Sequence, residues 1–152
     1  MRNPPGSFVI VIVTSELARH RRRQAGKFVT SNGRATSSCS EASSYSLYNG
    51  QLLVQFANGT TEQFSTSTGT SYANFSPSST PGDITTTFSL SNSGSLLWTN
   101  NAFFNGGALF CNMPSGILIA VFAQDTQPET CVFIDLTIAE CQYPVHEYAA
   151  IT

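Results

Sequence analysis

Residues 90–141 read LSNSGSLLWTNNAFFNGGALFCNMPSGILIAVFAQDTQPETCVFIDLTIAEC. Val132, Ile134, Leu136 and Ile138 alternate with Phe133, Asp135 and Thr137, the period of a strand with one face in the core. Ile117 to Ala123 is a nearly unbroken apolar run, which fits a central strand. Short extended segments, Ser95–Thr99 and Ala108–Asn112, are punctuated by Ser91–Gly94, Asn105-Gly106-Gly107 and Pro114-Ser115-Gly116, all turn-forming. No stretch combines a helical period with a cap. Three of the four cysteines and the only tryptophan, Trp98, lie here.

Upstream the pattern continues. Ile84, Thr86, Phe88 and Leu90 alternate with Thr85, Thr87 and Ser89, predicting one strand with a dry and a wet face. Tyr45–Tyr48 and Gln51–Phe56 flank Asn49-Gly50, which readily adopts the positive φ angles of a type I′ turn and so predicts a hairpin. Asn58-Gly59 predicts a further turn into a strand over Thr60–Ser65. Residues 66–83, rich in Ser, Thr, Gly and Pro, read as a surface loop. Phe28-Val29-Thr30 is a strand stub followed by an Asn32-Gly33 turn. Short strands at this spacing predict an all-β fold, a single antiparallel β-sandwich or barrel with disulfides.

Three segments follow: an N-terminal strand and basic segment over 1–27, a four-cysteine β-domain over 28–142, and a tail over 143–152. In the first, Phe8–Val13 is too short for a membrane span, which needs about 20 residues. It reads as a buried strand or as a degenerate signal core, with no clean cleavage site after it. Arg19-His20-Arg21-Arg22-Arg23 reads as a solvated basic loop or a dibasic processing site. The segment as a whole suggests an incomplete gene model or a processed piece of a longer chain. The tail carries no lipid-anchor signal.

Charge is sparse and lopsided. All seven basic residues fall in the first 34 positions, which with one acid carry +6; the remaining 118 residues hold eight acids and no Lys or Arg, a charge of −8. A body without cations has nothing to neutralise phosphates, which excludes nucleic acid as its partner and disfavours anionic polysaccharide. Solubility must come from hydroxyls: 28 of the 66 residues from Thr30 to Ser95 are Ser or Thr. Two glycosylation acceptors, Asn58-Gly59-Thr60 and Asn74-Phe75-Ser76, point with the missing lysines to a secreted protein.

Cys39, Cys111, Cys131 and Cys141 point the same way. They form no C-x2-C knuckle, and the histidines, His20 and His146, stand at the two ends, so the spacing favours disulfides over zinc. Four cysteines allow three pairings. Cys111–Cys131 with Cys39–Cys141 is the favoured one, because the second bridge closes the body end to end. No cofactor or metal is expected.

Catalytic readings are thin. A serine nucleophile needs a base and its orienting partner, and neither histidine is well placed. A small glycoside hydrolase needs two carboxylates flanking a cleft; Asp125, Asp135 and Glu140 are the candidates, each with a plainer reading as a strand or loop residue. Sugar stacking asks for exposed aromatics beside amides. Trp98 and Phe103, with Asn100, Asn101 and Asn105, fit this, as do Phe104, Tyr45 and Tyr48. Against it, Trp98 is also the sort of large aromatic that fills a core.

One ordered set of residues resembles a known family. Leu47-x-Asn49-Gly50-x-Leu52, Gly82-x-Ile84, Phe88-Ser89, Gly94-x-Leu96, Phe110-Cys111, Ser115-Gly116, Val121-Phe122, Cys131 and Cys141 run in the order of the C-terminal four-cysteine domain of fungal Pir-type cell-wall proteins, over Tyr45 to Cys141. A group of uncharacterised ascomycete secreted domains is more similar still, over Phe8 to Cys141, with segments resembling Arg22–Gly26 and Leu97–Gly106. The resemblance implies an extracellular fungal protein associated with the wall, with its four cysteines structural; a neutral glucan is the expected partner because it is compatible with a cation-free body. Pir-type proteins attach covalently to β-1,3-glucan through glutamines in repeats outside this domain; the chain has no such repeats, so covalent attachment is not implied. The expectation is a secreted, non-catalytic, structural or carbohydrate-associated wall protein. The alternative is an adhesion or host-interaction module that binds protein.

Overall fold

The computed structural model of the protein describes residues 7–13, 27–56, 58–142 and 147–150. The basic run Arg19–Arg23, the segment Arg22–Gly26 and His146 lie outside the described residues.

Thirteen strands are found among the described residues: β1 (Ser7–Val13), β2 (Lys27–Val29), β3 (Ala35–Thr36), β4 (Ser44–Tyr48), β5 (Gln51–Gln55), β6 (Thr61–Gln63), β7 (Tyr72–Asn74), β8 (Phe88–Leu90), β9 (Leu96–Trp98), β10 (Leu109–Asn112), β11 (Leu118–Val121), β12 (Val132–Gln142) and β13 (Glu147–Ala150). Two single 3-10 turns, Cys39–Glu41 and Phe104–Gly106, complete the set. The main sheet runs β6-β5-β4-β1-β12-β10-β11-β7, with β2 and β3 attached at β1 and β13 at β12; β8 and β9 form a separate hairpin. The named strand pairs are antiparallel. The fold is thus all-β with disulfides, and its architecture is a half-barrel with a small second sheet that adds Phe88, Leu96 and Trp98 to the main core.

β1 explains the apolar run in the N-terminal segment. It pairs with β12 along one edge, and with β4 and then β2 along the other. Phe8, Ile10 and Ile12 enter the main core, while Val9 and Val11 pack on the opposite face with Phe28, Cys39 and Ala139. A strand covered on both faces has no wet side, so its sequence shows no alternation. The sheet runs across both boundaries read from the sequence: β1 comes from residues 1–27 and β13 from residues 143–152.

β12 aims Ile134, Leu136 and Ile138 into the core, as its alternation predicts. Val132, expected inward, is instead exposed at the strand's open end. β11 is paired on both sides and buried on both faces, matching its apolar run. The β4–β5 hairpin turns at Asn49 (φ 51°) and Gly50 (φ 79°), the left-handed pair expected of Asn-Gly. A Cβ at Gly50 would lie 3.1 Å from the Thr87 amide nitrogen, so this turn also needs glycine for space.

Two expectations are corrected. Residues 66–83 are not only a loop, because Tyr72–Asn74 forms edge strand β7 on β11. Polar residues and the prolines around it mask a strand that is wet on one face and short. The predicted strand from Ile84 to Leu90 is broken: Ile84 pairs with Thr66 and only Phe88–Leu90 pairs with β9. Thr87 sits at φ 75°, where a β-branched residue is rare, and its hydroxyl bonds Thr86 O and Thr99 O. Ile84 and Phe88 are buried, but Thr86 and Leu90 are exposed.

Candidate functional site

The sequence places its sugar-stacking candidates around Trp98. The structure makes Trp98 core: it is 2% exposed, stacked on Phe88 at 4.3 Å and set edge-on to Phe103 and Phe122 at 5.4 and 5.3 Å. Its indole N–H donates to Thr86 O at 3.2 Å, which satisfies its polar atom inside the protein. Phe103 is buried as well. Neither ring offers a face to a ligand, so the proposed contacts at Trp98 and Phe103 are withdrawn. The amides they were to serve remain near the surface. Asn100 Oδ1 accepts the Ala102 N–H at 2.8 Å and so closes its own turn. Asn101 is exposed, and exposed Asn105 sits in a left-handed turn at φ 56°. Tyr45 is buried too, its hydroxyl donating to Val29 O at 3.0 Å; burial pushes its phenol well above the ordinary range.

Both bridges join the favoured partners, Cys39 with Cys141 and Cys111 with Cys131. Each belongs to an apolar cluster on the outer face of the sheet, away from the main core. Asn58 is exposed, its Oδ1 accepting from Thr60 N and Oγ1; Asn74 is exposed on β7. Both glycosylation acceptors are therefore on the surface. Among the described residues no group of His, Cys, Asp and Glu is arranged to hold a metal ion, and no helix is long and apolar enough to cross a membrane.

What the structure does assemble is a groove of about 210 Å³ on the outer face, over β10, β11 and β12. Its floor follows from register. Leu109 opposes Val121, and Cys111 opposes Phe133, so all four share the face turned away from the core. Phe104, at the end of the turn after β9, forms one wall; Gln124, Asp125 and Gln127 supply the polar side. Phe104 and Phe133 are 43% and 47% exposed, and Leu109 is 53% exposed.

The surrounding loop is held in place. Phe104 N–H donates to Phe122 O at 2.8 Å. Thr126 Oγ1 bonds Ala123 O and Ser71 O at 2.9 and 3.1 Å, tying the Gln124–Gln127 turn to the segment before β7. Asp125 takes a left-handed conformation at φ 58° that closes that turn. The Cys111–Cys131 bridge anchors the end of the same loop to β10. A site held this way loses little freedom when it binds.

Chemically, the groove offers two phenyl rings, two amides and one carboxylate. Neither of the described cations, Lys27 and Arg34, lines it. Of the carboxylates weighed for hydrolysis, only Asp125 lines the groove; Asp135 and Glu140 lie on β12, at positions of opposite parity. Phe133 was hidden in the sequence as a member of the wet face of β12. The signal that could have found it is the pair Val132-Phe133, where a half-wet strand should carry one polar residue.

Fold and bridges together define an all-β domain fastened by two disulfides, a construction consistent with an extracellular protein. The chain belongs to the family described as Domain of unknown function (DUF7908), whose model matches residues 3–142. No curated protein and no solved structure matches the chain.

Proposed function

We propose that the protein is a secreted, non-catalytic, carbohydrate-associated domain of the fungal cell wall, and that its outer-face groove holds a sugar ring of a neutral glucan. The observation that carries this reading is the pair of half-exposed rings, Phe104 and Phe133, beside Gln124, Asp125 and Gln127. The C–H face of a pyranose is apolar and packs on aromatic carbon, while amides and a carboxylate accept and donate to its hydroxyls. The cation-free body supports an uncharged ligand. One carboxylate in the groove supports binding over hydrolysis, since glycoside hydrolysis works with a pair. The order of Cys111, Ser115-Gly116, Cys131 and Cys141, which resembles Pir-type wall domains, supports the location.

The test is retention of the full chain, secreted from an oxidising host, on insoluble β-1,3-glucan, chitin and cellulose. Retention on one polymer, lost in Phe133→Ser and Phe104→Ala at unchanged stability, is the expected result. A second reading is favoured by one observation: Leu109, aliphatic and more than half exposed, lines the groove. It suits a protein surface better than a sugar. Absence from all three polymers, with capture of a wall or host protein that Leu109→Ser abolishes, would replace the first reading with an adhesion module.

A further inference from the structure

A second surface lies on the other wing of the sheet. The pairing of β4, β5 and β6 puts Ser44, Gln55 and Thr61 in one row and Ser46, Leu53 and Gln63 in the next, with Tyr48 opposite Gln51. The alternate residues Tyr45, Leu52 and Val54 belong to the core, so these rows face outward. Two hollows lie along this face. One, of about 450 Å³, is lined by Ser31, Ser43, Ser44 and Gln55 among others; the second, of about 460 Å³, by Gln51, Thr61, Gln63, Ser78 and Ser79 among others. Gln55 and Thr61 are cross-strand partners, so the two hollows meet on one row. Together they cross three strands, about 10 Å between the outer two, and extend beyond them at both ends.

The chemistry of this face is mixed. Hydroxyls and primary amides alternate with apolar carbon from Leu53 and Pro81 in one hollow and Ala42 and Phe56 in the other, with one exposed aromatic ring (Tyr48, 65% exposed) and an acid at the rim, Glu62. Two of its buried acceptors, Ser44 Oγ and Gln63 Oε1, have no hydrogen-bond partner. An unpaired buried acceptor is costly, about 1–3 kcal/mol, and both occur on the same outward rows, one at each hollow. An anionic partner finds no cation to pair with among the residues that line the hollows, and a wholly apolar one would strand the amides. A partner rich in hydroxyls and without charge meets both conditions, and the elongated shape suits a chain more than a single ring.

We propose that the β4–β6 face is a second binding site, one that takes an internal stretch of a neutral polysaccharide chain, so that each protein engages two glycan segments. This rests on the reading of the groove as a sugar site, and it adds a separate surface with a separate preference.

Calorimetric titration of the full chain with soluble β-1,3-glucan fragments tests it, using three proteins besides wild type: Phe133→Ser for the groove, Gln55→Ala with Gln63→Ala for the face, and Tyr48→Ala for the face without touching any buried atom. Two ligand segments per wild-type chain are expected, falling to one in each variant, with the remaining site in the face variants still lost on adding Phe133→Ser. A wild-type stoichiometry of one, abolished by Phe133→Ser and unmoved by Tyr48→Ala and the glutamine pair, overturns the second site and leaves the groove standing. No heat of binding from wild type overturns the sugar reading and this inference with it.

Discussion

The rings of Phe64 and Phe75 stand 4.6 Å apart between centroids, and they come from opposite edges of the sheet. Phe64 follows β6, the strand at one edge; Phe75 follows β7, the strand at the other. The segment after β7 joins those edges directly. Phe75 N–H donates to Leu118 O on β11 at 2.8 Å, and three residues later Ser78 N–H donates to Gln63 O on β6 at 3.0 Å. Phe75 also meets Phe110 edge-on at 5.1 Å. One short connection thus links the two sides of the sheet, and Ser78 takes up part of the β6 edge that would otherwise present unpaired groups to other chains.

Phe75→Ala should therefore cost more than the loss of an ordinary core ring. Removal of a buried phenyl group destabilises by about 3–5 kcal/mol, and two aromatic partners are lost with it. Urea unfolding checks the value, and thioflavin binding at low denaturant checks for the newly opened edges. Tyr48→Ala, at an exposed position, should stay within about 0.5 kcal/mol of wild type.

The two bridges should not be equivalent. Cys39 and Cys141 are 102 residues apart, Cys111 and Cys131 only 20. On the loop-entropy model the first contributes about 5 kcal/mol and the second about 3 kcal/mol. Paired Cys→Ala variants of each bridge, compared by denaturant midpoint, should show the Cys39–Cys141 variant to be the weaker. Loss of the short bridge should instead fall on the groove, loosening the loop that carries Gln124 to Gln127, so glucan retention should drop more than stability.

Trp98→Ala should behave as a core deletion, losing about 3–5 kcal/mol and binding only in proportion to unfolding. Phe104→Ala should keep the wild-type melting curve within about 0.5 kcal/mol while weakening retention on the polymer. Measuring retention and melting on the same samples separates the two. A Trp98→Ala protein with wild-type stability and no retention would return the site to the tryptophan.

Asp83 gives the acid limb of the stability profile. Its carboxylate accepts from Thr68 N–H at 2.8 Å and Thr68 Oγ1 at 2.6 Å, and these bonds hold its pKa below the usual carboxylate range. The folded state therefore binds the proton less readily than the unfolded chain. The stabilisation is present above the ordinary carboxylate pKa, about 3.9, and is lost as the pH falls through the lower, folded value. Melting temperature should decline over that acid window in wild type and decline less in Asp83→Asn, with the two profiles parallel near neutrality.

Much of the fold is legible in the chain because it rests on local rules. Asn49-Gly50 makes its hairpin through two residues that tolerate positive φ, and nothing distant is needed. The alternation of Ile134, Leu136 and Ile138 names the core face of β12 from spacing alone. The missed elements depend on partners. β7 is three residues long and polar on one side, and it becomes a strand because β11 offers it an edge. The strand predicted through Thr87 breaks because Ile84 is claimed by Thr66 and Phe88 by Trp98. The candidate site shows the same division. Aromatic rings beside amides are visible in the stretch Trp98–Asn105, but which ring faces water is not, since Phe103 and Phe104 are neighbours of the same type and only packing against Trp98 and Phe122 buries one of them.

By itself the sequence determined the all-β class, the hairpin at Asn49-Gly50 and the cation-free character of the body, and it favoured one cysteine pairing of the three. Each of these follows from residue type and spacing: turn stereochemistry, a period of two, the loops a bridge would close, and the absence of Lys and Arg after Arg34. Tertiary structure alone decided that β1 lies at the centre of the sheet, that residues 75–78 join its edges, and that Phe104 and Phe133 share one groove. Those facts belong to residues far apart in the chain, brought together by strand order and register, and a local pattern carries no record of which strand its neighbour will be.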